Sequence, residues 1–271
     1  MKKLLYFIAF ILIANLGKAQ KNKTYTSIDL ALQEPTKVII LNLKGQGLKA
    51  LPADFSKLVN LEQLDLSNNA FTSLPQQIFR LPKLKILYLN NNFISALPAD
   101  MSALKTLTTL RLDVNPFLAP VGELKKVATI AGLSKLNFSA NKLSAFPPEL
   151  LKLANLSDLD LGYGSIKTLP ADIDKLKNLK RLVLTKNLIT VFPPAFFKLP
   201  KLENLDLSYN DFRTLQSEFA NLPLTVMDVS YNKNLATIPS IKGMKYINIK
   251  STKVDVEKLK WALGEGCTIL N

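Results

Sequence analysis

The chain repeats itself with a 23-residue period, and that period constrains its fold more than any other feature. Leu61, Leu64, Leu66, Asn69, Phe71, Leu74, Pro75, Ile78 and Leu81 set the pattern LxxLxLxxNxLxxLPxxΦxxLxx. The same register returns at Leu84 with Leu87, Leu89, Asn92, Ile94, Leu97 and Pro98, and at Leu133 with Leu136, Phe138, Asn141, Leu143, Phe146 and Pro147. Further units start at Leu156, Leu179, Leu202 and Leu224, a degenerate one opens at Val38, and a truncated one opens at Met244. Residues 38–254 therefore hold about ten units. The unit at residues 107–132 is longer than the rest. It replaces Leu-Pro with Ala119-Pro120 and runs on from Val121 to Val127, which predicts a short helix bulging from the regular outline.

Within each unit the alternation LxL puts two leucines on one face of a short strand. The proline that follows cannot donate to a ladder, so the strand stops there. One unit cannot bury its own leucines. Stacked units bury one another's, each buried side chain contributing roughly 1.5–3 kcal/mol. The prediction is an elongated α/β solenoid with a parallel sheet and no domain boundary, and a hydrophobic share of 48% is enough to fill its core. The asparagine after each strand, at Asn69, Asn92, Asn115, Asn141, Asn187, Asn210 and Asn232, reads as a structural ladder, because a buried amide must find backbone partners. Gln46, Gly164 and Thr252 interrupt it, and the solenoid is expected to be looser there. A helical cap over residues 20–37 is expected to start at Ser27 and stop before Pro35. A C-terminal cap over residues 255–271 is expected to hold a helix from Val256 to Leu263, its apolar side carrying Leu259, Trp261 and Leu263, and a last strand at Thr268-Ile269-Leu270.

On these residues the chain resembles the leucine-rich-repeat family. It is closest to the subclass with Leu-Pro after the asparagine, as in Leu51-Pro52, Leu74-Pro75, Leu97-Pro98 and Leu169-Pro170, and to secreted bacterial members. The resemblance implies a curved solenoid with the sheet on its concave side, and macromolecular recognition in place of catalysis.

The first 19 residues combine a basic start (Lys2, Lys3), an apolar run from Leu4 to Leu16 and the small-x-small ending Gly17-Lys18-Ala19, the parts of a secretory signal peptide. That run is shorter than the roughly 20 residues a membrane span needs. The reading is an exported protein with no transmembrane segment in its mature chain, periplasmic, cell-surface or extracellular. Cys267 is the only cysteine, so no intramolecular disulfide forms, and a bacterial envelope fits better than a eukaryotic secretory path. The formal charge is +14, and cleavage after Ala19 would remove three lysines and leave +11. Such a balance suits polyanions, and export argues against nucleic acid.

With no histidine, an imidazole base and the usual zinc ligand sets are excluded, and the ten glycines follow no phosphate-loop spacing. No enzyme activity, metal or cofactor is expected. Cys267 reads as a buried side chain of the C-terminal cap, and Asp158 and Asp160, alternating on one strand, read as solvated carboxylates. The residues flanking each inward leucine project from the sheet's open face. Its C-terminal half gathers Asp158, Asp160, Arg181, Asp206 and Asp228, with Tyr163, Tyr209 and Tyr231 at the strand ends, and tyrosine beside charge marks a candidate protein-binding patch. The alternative is an anionic glycan or lipid surface held by convex lysines such as Lys57, Lys83, Lys175 and Lys198.

Overall fold

The computed structural model describes residues 23–264 and 266–271; the expected leader, residues 1–19, lies outside them. Twelve strands form one parallel sheet in chain order. They are β1 (Thr24–Tyr25), β2 (Ile40–Asn42), β3 (Gln63–Asp65), β4 (Ile86–Tyr88), β5 (Thr109–Arg111), β6 (Lys135–Asn137), β7 (Asp158–Asp160), β8 (Arg181–Val183), β9 (Asn204–Asp206), β10 (Val226–Asp228), β11 (Tyr246–Asn248) and β12 (Thr268–Leu270). Strands β2 to β11 are those of the repeats. The C-terminal cap adds β12 as expected, and the N-terminal cap adds β1, which the sequence pattern did not suggest. The central residues Leu41, Leu64 and Leu87 pair in register and are fully buried, whereas the strand residues flanking them are half-buried or, at Asn42, exposed.

Behind the sheet the chain returns through short 3-10 turns such as Ala53–Lys57, Gln76–Arg80 and Pro194–Lys198. Each buries an apolar residue, Phe55, Ile78 or Phe196, in one continuous core. Between units the asparagines form a ladder of hydrogen bonds. Asn92 donates through Nδ2 to the carbonyls of Leu66 and Leu89, both at 3.0 Å, and accepts the Phe71 N–H at 3.1 Å. The residue ahead of each rung turns the chain with a left-handed backbone, φ being 57° at Asn68, 58° at Tyr163, 53° at Lys186, 54° at Tyr209 and 58° at Tyr231.

At the interruptions, Gln46 sends its amide to the Thr26 carbonyl at 2.8 Å and Thr252 sends its hydroxyl to the Ile249 carbonyl at 2.7 Å. Gly164 is the reverse of loose. A Cβ built there would lie 2.5 Å from the Leu143 carbonyl oxygen and 2.8 Å from Asn187 Oδ1, so the close approach of two units leaves no room for a side chain.

Helix α1 (Ile28–Gln33) begins at Ser27, whose hydroxyl accepts the Leu30 N–H. Helix α2 (Pro120–Val127) forms in the long unit but does not bulge out. Glu123, Leu124 and Val127 are buried, and the helix packs on the Pro148–Lys152 turn. Glu123 accepts the Leu97 N–H at 2.6 Å while Lys126, 3.0 Å from the same carboxylate, donates to the Leu97 carbonyl at 2.9 Å. Gln216 makes the equivalent clamp with one side chain, accepting the Phe192 N–H at 2.8 Å and donating to its carbonyl at 3.1 Å. Helix α3 (Val256–Leu263) has Asp255 as its N-cap. Leu259 is buried and Leu263 packs on the core, but Trp261 is 90% exposed. The expected apolar side was wrong for a geometric reason: residues four apart share a helix face, whereas a residue two positions on points roughly 200° away.

Candidate functional site

Register places the open-face residues in columns. One runs Asn137, Asp160, Val183, Asp206, Asp228, Asn248, and its neighbour runs Lys135, Asp158, Arg181, Asn204, Val226, Tyr246. Asp206 and Asp228 are therefore adjacent, while Val183, itself buried, separates Asp206 from Asp160.

The acids are less free than the sequence suggested. Asp206 Oδ1 accepts the Ser208 N–H at 2.9 Å and its hydroxyl at 2.7 Å, and Asp228 Oδ1 does the same with Ser230 at 2.9 and 2.6 Å. Asp160 Oδ1 accepts the Gly162 N–H at 3.0 Å. These are side chain-to-backbone turns that end each strand, so three of the four candidate acids hold the fold through one oxygen. The recurring Asx-x-Ser spacing, as in Asp206-Leu207-Ser208, was the signal for this. Asp228 Oδ2 also accepts from Asn248 at 2.8 Å. Asp158 and Arg181 meet across β7 and β8 at 2.8 Å as a half-exposed ion pair.

Burial pushes the Asp160 carboxyl up to about 6, with the nearby charges of Asp113 and Asp158 adding to it and the Gly162 N–H and Arg181 opposing. Asp206 moves upward for the same first reason, its neighbour Asp228 contributing. Solvated carboxylates are thus the wrong description of this column. In the N-terminal direction, Arg111 holds Asp113 through two bonds of 3.0 and 2.8 Å and lies 6.0 Å from the Tyr88 ring centroid.

At the strand ends Tyr209 and Tyr231 stack, their ring centroids 4.2 Å apart and their planes 12° from parallel. Burial and the neighbouring Tyr231 phenol raise the Tyr209 ionisation. Tyr163 stands two units away, with Lys186 between them and its Nζ 5.2 Å over the Tyr163 ring. An open concavity beside the pair is lined by Lys186, Tyr209, Asn210, Asp211, Tyr231, Lys233 and Asn234. Lys186 and Lys233 were missed because the sequence reading assigned the lysine excess to the far side of the solenoid. Among the described residues no group of acids and cysteine is arranged to hold a metal, and no helix is long and apolar enough to cross a membrane. Cys267 is half-buried, and burial raises its thiol.

A family model for the leucine-rich repeat matches residues 59–117, 131–189 and 177–233, more than half of the chain. The chain belongs to the leucine-rich repeat family. The interval those matches skip contains α2, where the leucine-rich repeat period breaks. Among solved structures it is similar to the leucine-rich repeat domain of the type III effector XopL, with 27% identity, TM-score 0.63, and 77% of this chain and 75% of that one covered. It also shares its fold with an internalin C2 (23% identity, TM-score 0.59, 72% and 83% covered) and an internalin InlF (17%, TM-score 0.64, 91% and 70%), both of Listeria monocytogenes. A segment of 81 residues is 36% identical to an adenylate cyclase of Podospora anserina, but the chain spans only 4% of that protein. That share is too small to bring its activity here.

Proposed function

We propose that the chain is an exported, non-enzymatic scaffold that binds a folded protein through the open face of its sheet, centred on β7 to β10. Leucine-rich repeats are in general protein-recognition scaffolds, and the finer reading rests on one observation: the exposed Tyr209 stacks on the half-buried Tyr231 beside the adjacent acids Asp206 and Asp228. Paired aromatics at the rim of a charged patch are the kind of anchor on which interface energy concentrates. Ten repeat strands at roughly 4.8 Å spacing give a face on the order of 45 Å long, enough for a folded domain.

The test is affinity capture from an envelope fraction with the mature chain as bait. A protein retained by wild type and by Lys175→Glu/Lys198→Glu, but lost with Asp206→Asn/Asp228→Asn at an unchanged urea midpoint, supports the reading, since asparagine keeps the strand-ending turn as Asn137 does with Ser139. Retention unaffected by the aspartate changes sinks it. N-terminal sequencing of the native protein tests export separately: a start near Gln20 is expected, and a cytoplasmic product keeping Met1 removes that part. The glycan or lipid alternative is less well supported, because Lys57 and Lys175 on the far-side turns lie 2.9 and 2.6 Å from Asp54 and Asp172 of their own turns.

A further inference from the structure

The turn edge, where the chain leaves each strand, differs in charge from both the sheet face and the far side. Lys142, Lys167, Lys186, Arg213 and Lys233 are exposed there, and none of them enters an ion pair among the described residues. Asp211 is the one acid lining the concavity beside the tyrosine pair, against Lys186 and Lys233. On the far side, by contrast, Lys57 and Lys175 are met by acids three residues away, Asp54 and Asp172, and Lys83 and Lys201 donate to Asn60 and Asn178 of the preceding unit. The edge therefore presents a row of positive charges in no ion pair over five consecutive units, interspersed with the rings of Tyr163, Tyr209 and Tyr231.

We propose that this edge, through Lys186, Tyr209, Tyr231 and Lys233, takes an acidic polypeptide segment of the partner, an inference that rests on reading the chain as a protein-recognition scaffold. The cations are strung out along the units, roughly 4.8 Å per step, and do not converge on a point. That arrangement suits successive carboxylates along a chain and not a single phosphate. The rings of Tyr209 and Tyr231 cover each other's inner faces at 4.2 Å, so each offers at most one face to a ligand. A sugar ring needs an open aromatic face, whereas a peptide carboxylate needs hydroxyl and ammonium donors, which are what the edge offers. The neighbouring column of Asp160, Asp206 and Asp228 repels an acidic segment from the sheet face and so confines it to the edge.

The experiment is fluorescence anisotropy of the full chain with a fluorescein-labelled deca-glutamate peptide, with unlabelled oligogalacturonate as competitor. Lys186→Asn/Lys233→Ala is the main variant, since asparagine tolerates the left-handed backbone at Lys186. It should weaken peptide binding at least about fivefold, while Lys175→Ala/Lys198→Ala should change it less than about twofold. Tyr209→Ala/Tyr231→Ala should cost at least about threefold. Equal losses from the two lysine pairs reduce the edge to diffuse charge and overturn the proposal. Displacement of the peptide by oligogalacturonate at lower concentration than by unlabelled deca-glutamate overturns it in favour of an anionic glycan. Since the capture experiment is scored on Asp206 and Asp228, failure here is distinguishable from failure of sheet-face recognition.

Discussion

On the turn edge, consecutive regular units are tied by an asparagine whose amide reaches two backbones. On the far side the ties are sparser and chemically mixed: Gln77 to the Leu51 carbonyl, Glu123 with Lys126 to Leu97, and Gln216 to Phe192. The exposed charges follow the opposite pattern. Lys57 and Lys175 on the far side are paired within their own turns, whereas Lys186 and Lys233 of the turn edge are in no ion pair among the described residues. Where the backbone is already secured by a buried amide, neighbouring side chains are not needed for stability and remain available for contact. Where it is secured at intervals, local ion pairs quieten the surface between the ties.

The sharpest way to break this contrast is Asn187→Ala. The amide accepts the Ile166 N–H at 3.0 Å and donates to the carbonyls of Leu161 and Leu184 at 3.1 Å, so its removal leaves buried backbone groups open. A loss of about 3 kcal/mol is expected in urea unfolding; a loss under about 1 kcal/mol would mean the ladder does not carry the turn edge. Glu123→Ala on the far side should cost about 2 kcal/mol, because Leu97 loses its acceptor and Lys126 its partner. Glu123→Gln should recover more than half of that, since an amide oxygen accepts the same N–H as Gln216 does. Equal losses in the two variants would show that the charge matters and the clamp does not.

Of similar size is the effect of Asp160→Asn, and it has the opposite sign. With its carboxyl raised to about 6 from 3.8, the folded state binds more protons than the unfolded between those values. Stability contributed by this group therefore falls as pH rises from 4 through 6 and stays low above. The variant should be more stable than wild type by about 1–3 kcal/mol at pH 7 and converge with it near pH 4, read from urea midpoints at the two pH values. No gain at pH 7 would mean the acid is better solvated than its position between Asn137 and Val183 implies. Lys175→Ala should leave the midpoint unchanged despite its 2.6 Å ion pair, because exposed pairs are screened.

The period made most of the scaffold legible. Leu64 and Leu87 had to point inward because residues at identical offsets alternate on every strand, and α3 was bounded correctly because its apolar spacing is local. Trp261 was misplaced where hydrophobicity was read without its angle around the helix. The Glu123–Lys126 clamp stayed hidden because it joins residues 26 and 29 apart to Leu97 across the one unit that leaves the period. The site was legible in a different measure. Equivalent positions announced that Tyr209 and Tyr231 are neighbours, but a carboxylate that ends its own strand, as Asp206 does with Ser208, is marked only by the short Asx-x-Ser spacing and not by the leucine period.

The left-handed residue ahead of each rung has one more consequence. Its side chain is aimed by the backbone rather than by packing, so substitutions two or more units apart along that row should act independently, with free energies that sum. Adjacent members of the row are coupled instead: Tyr209 stacks on Tyr231, Lys186 lies over the Tyr163 ring, and Asn91 donates to Asn68 at 3.0 Å. Information in this row is thus written in short words, several of them pairs of neighbouring units.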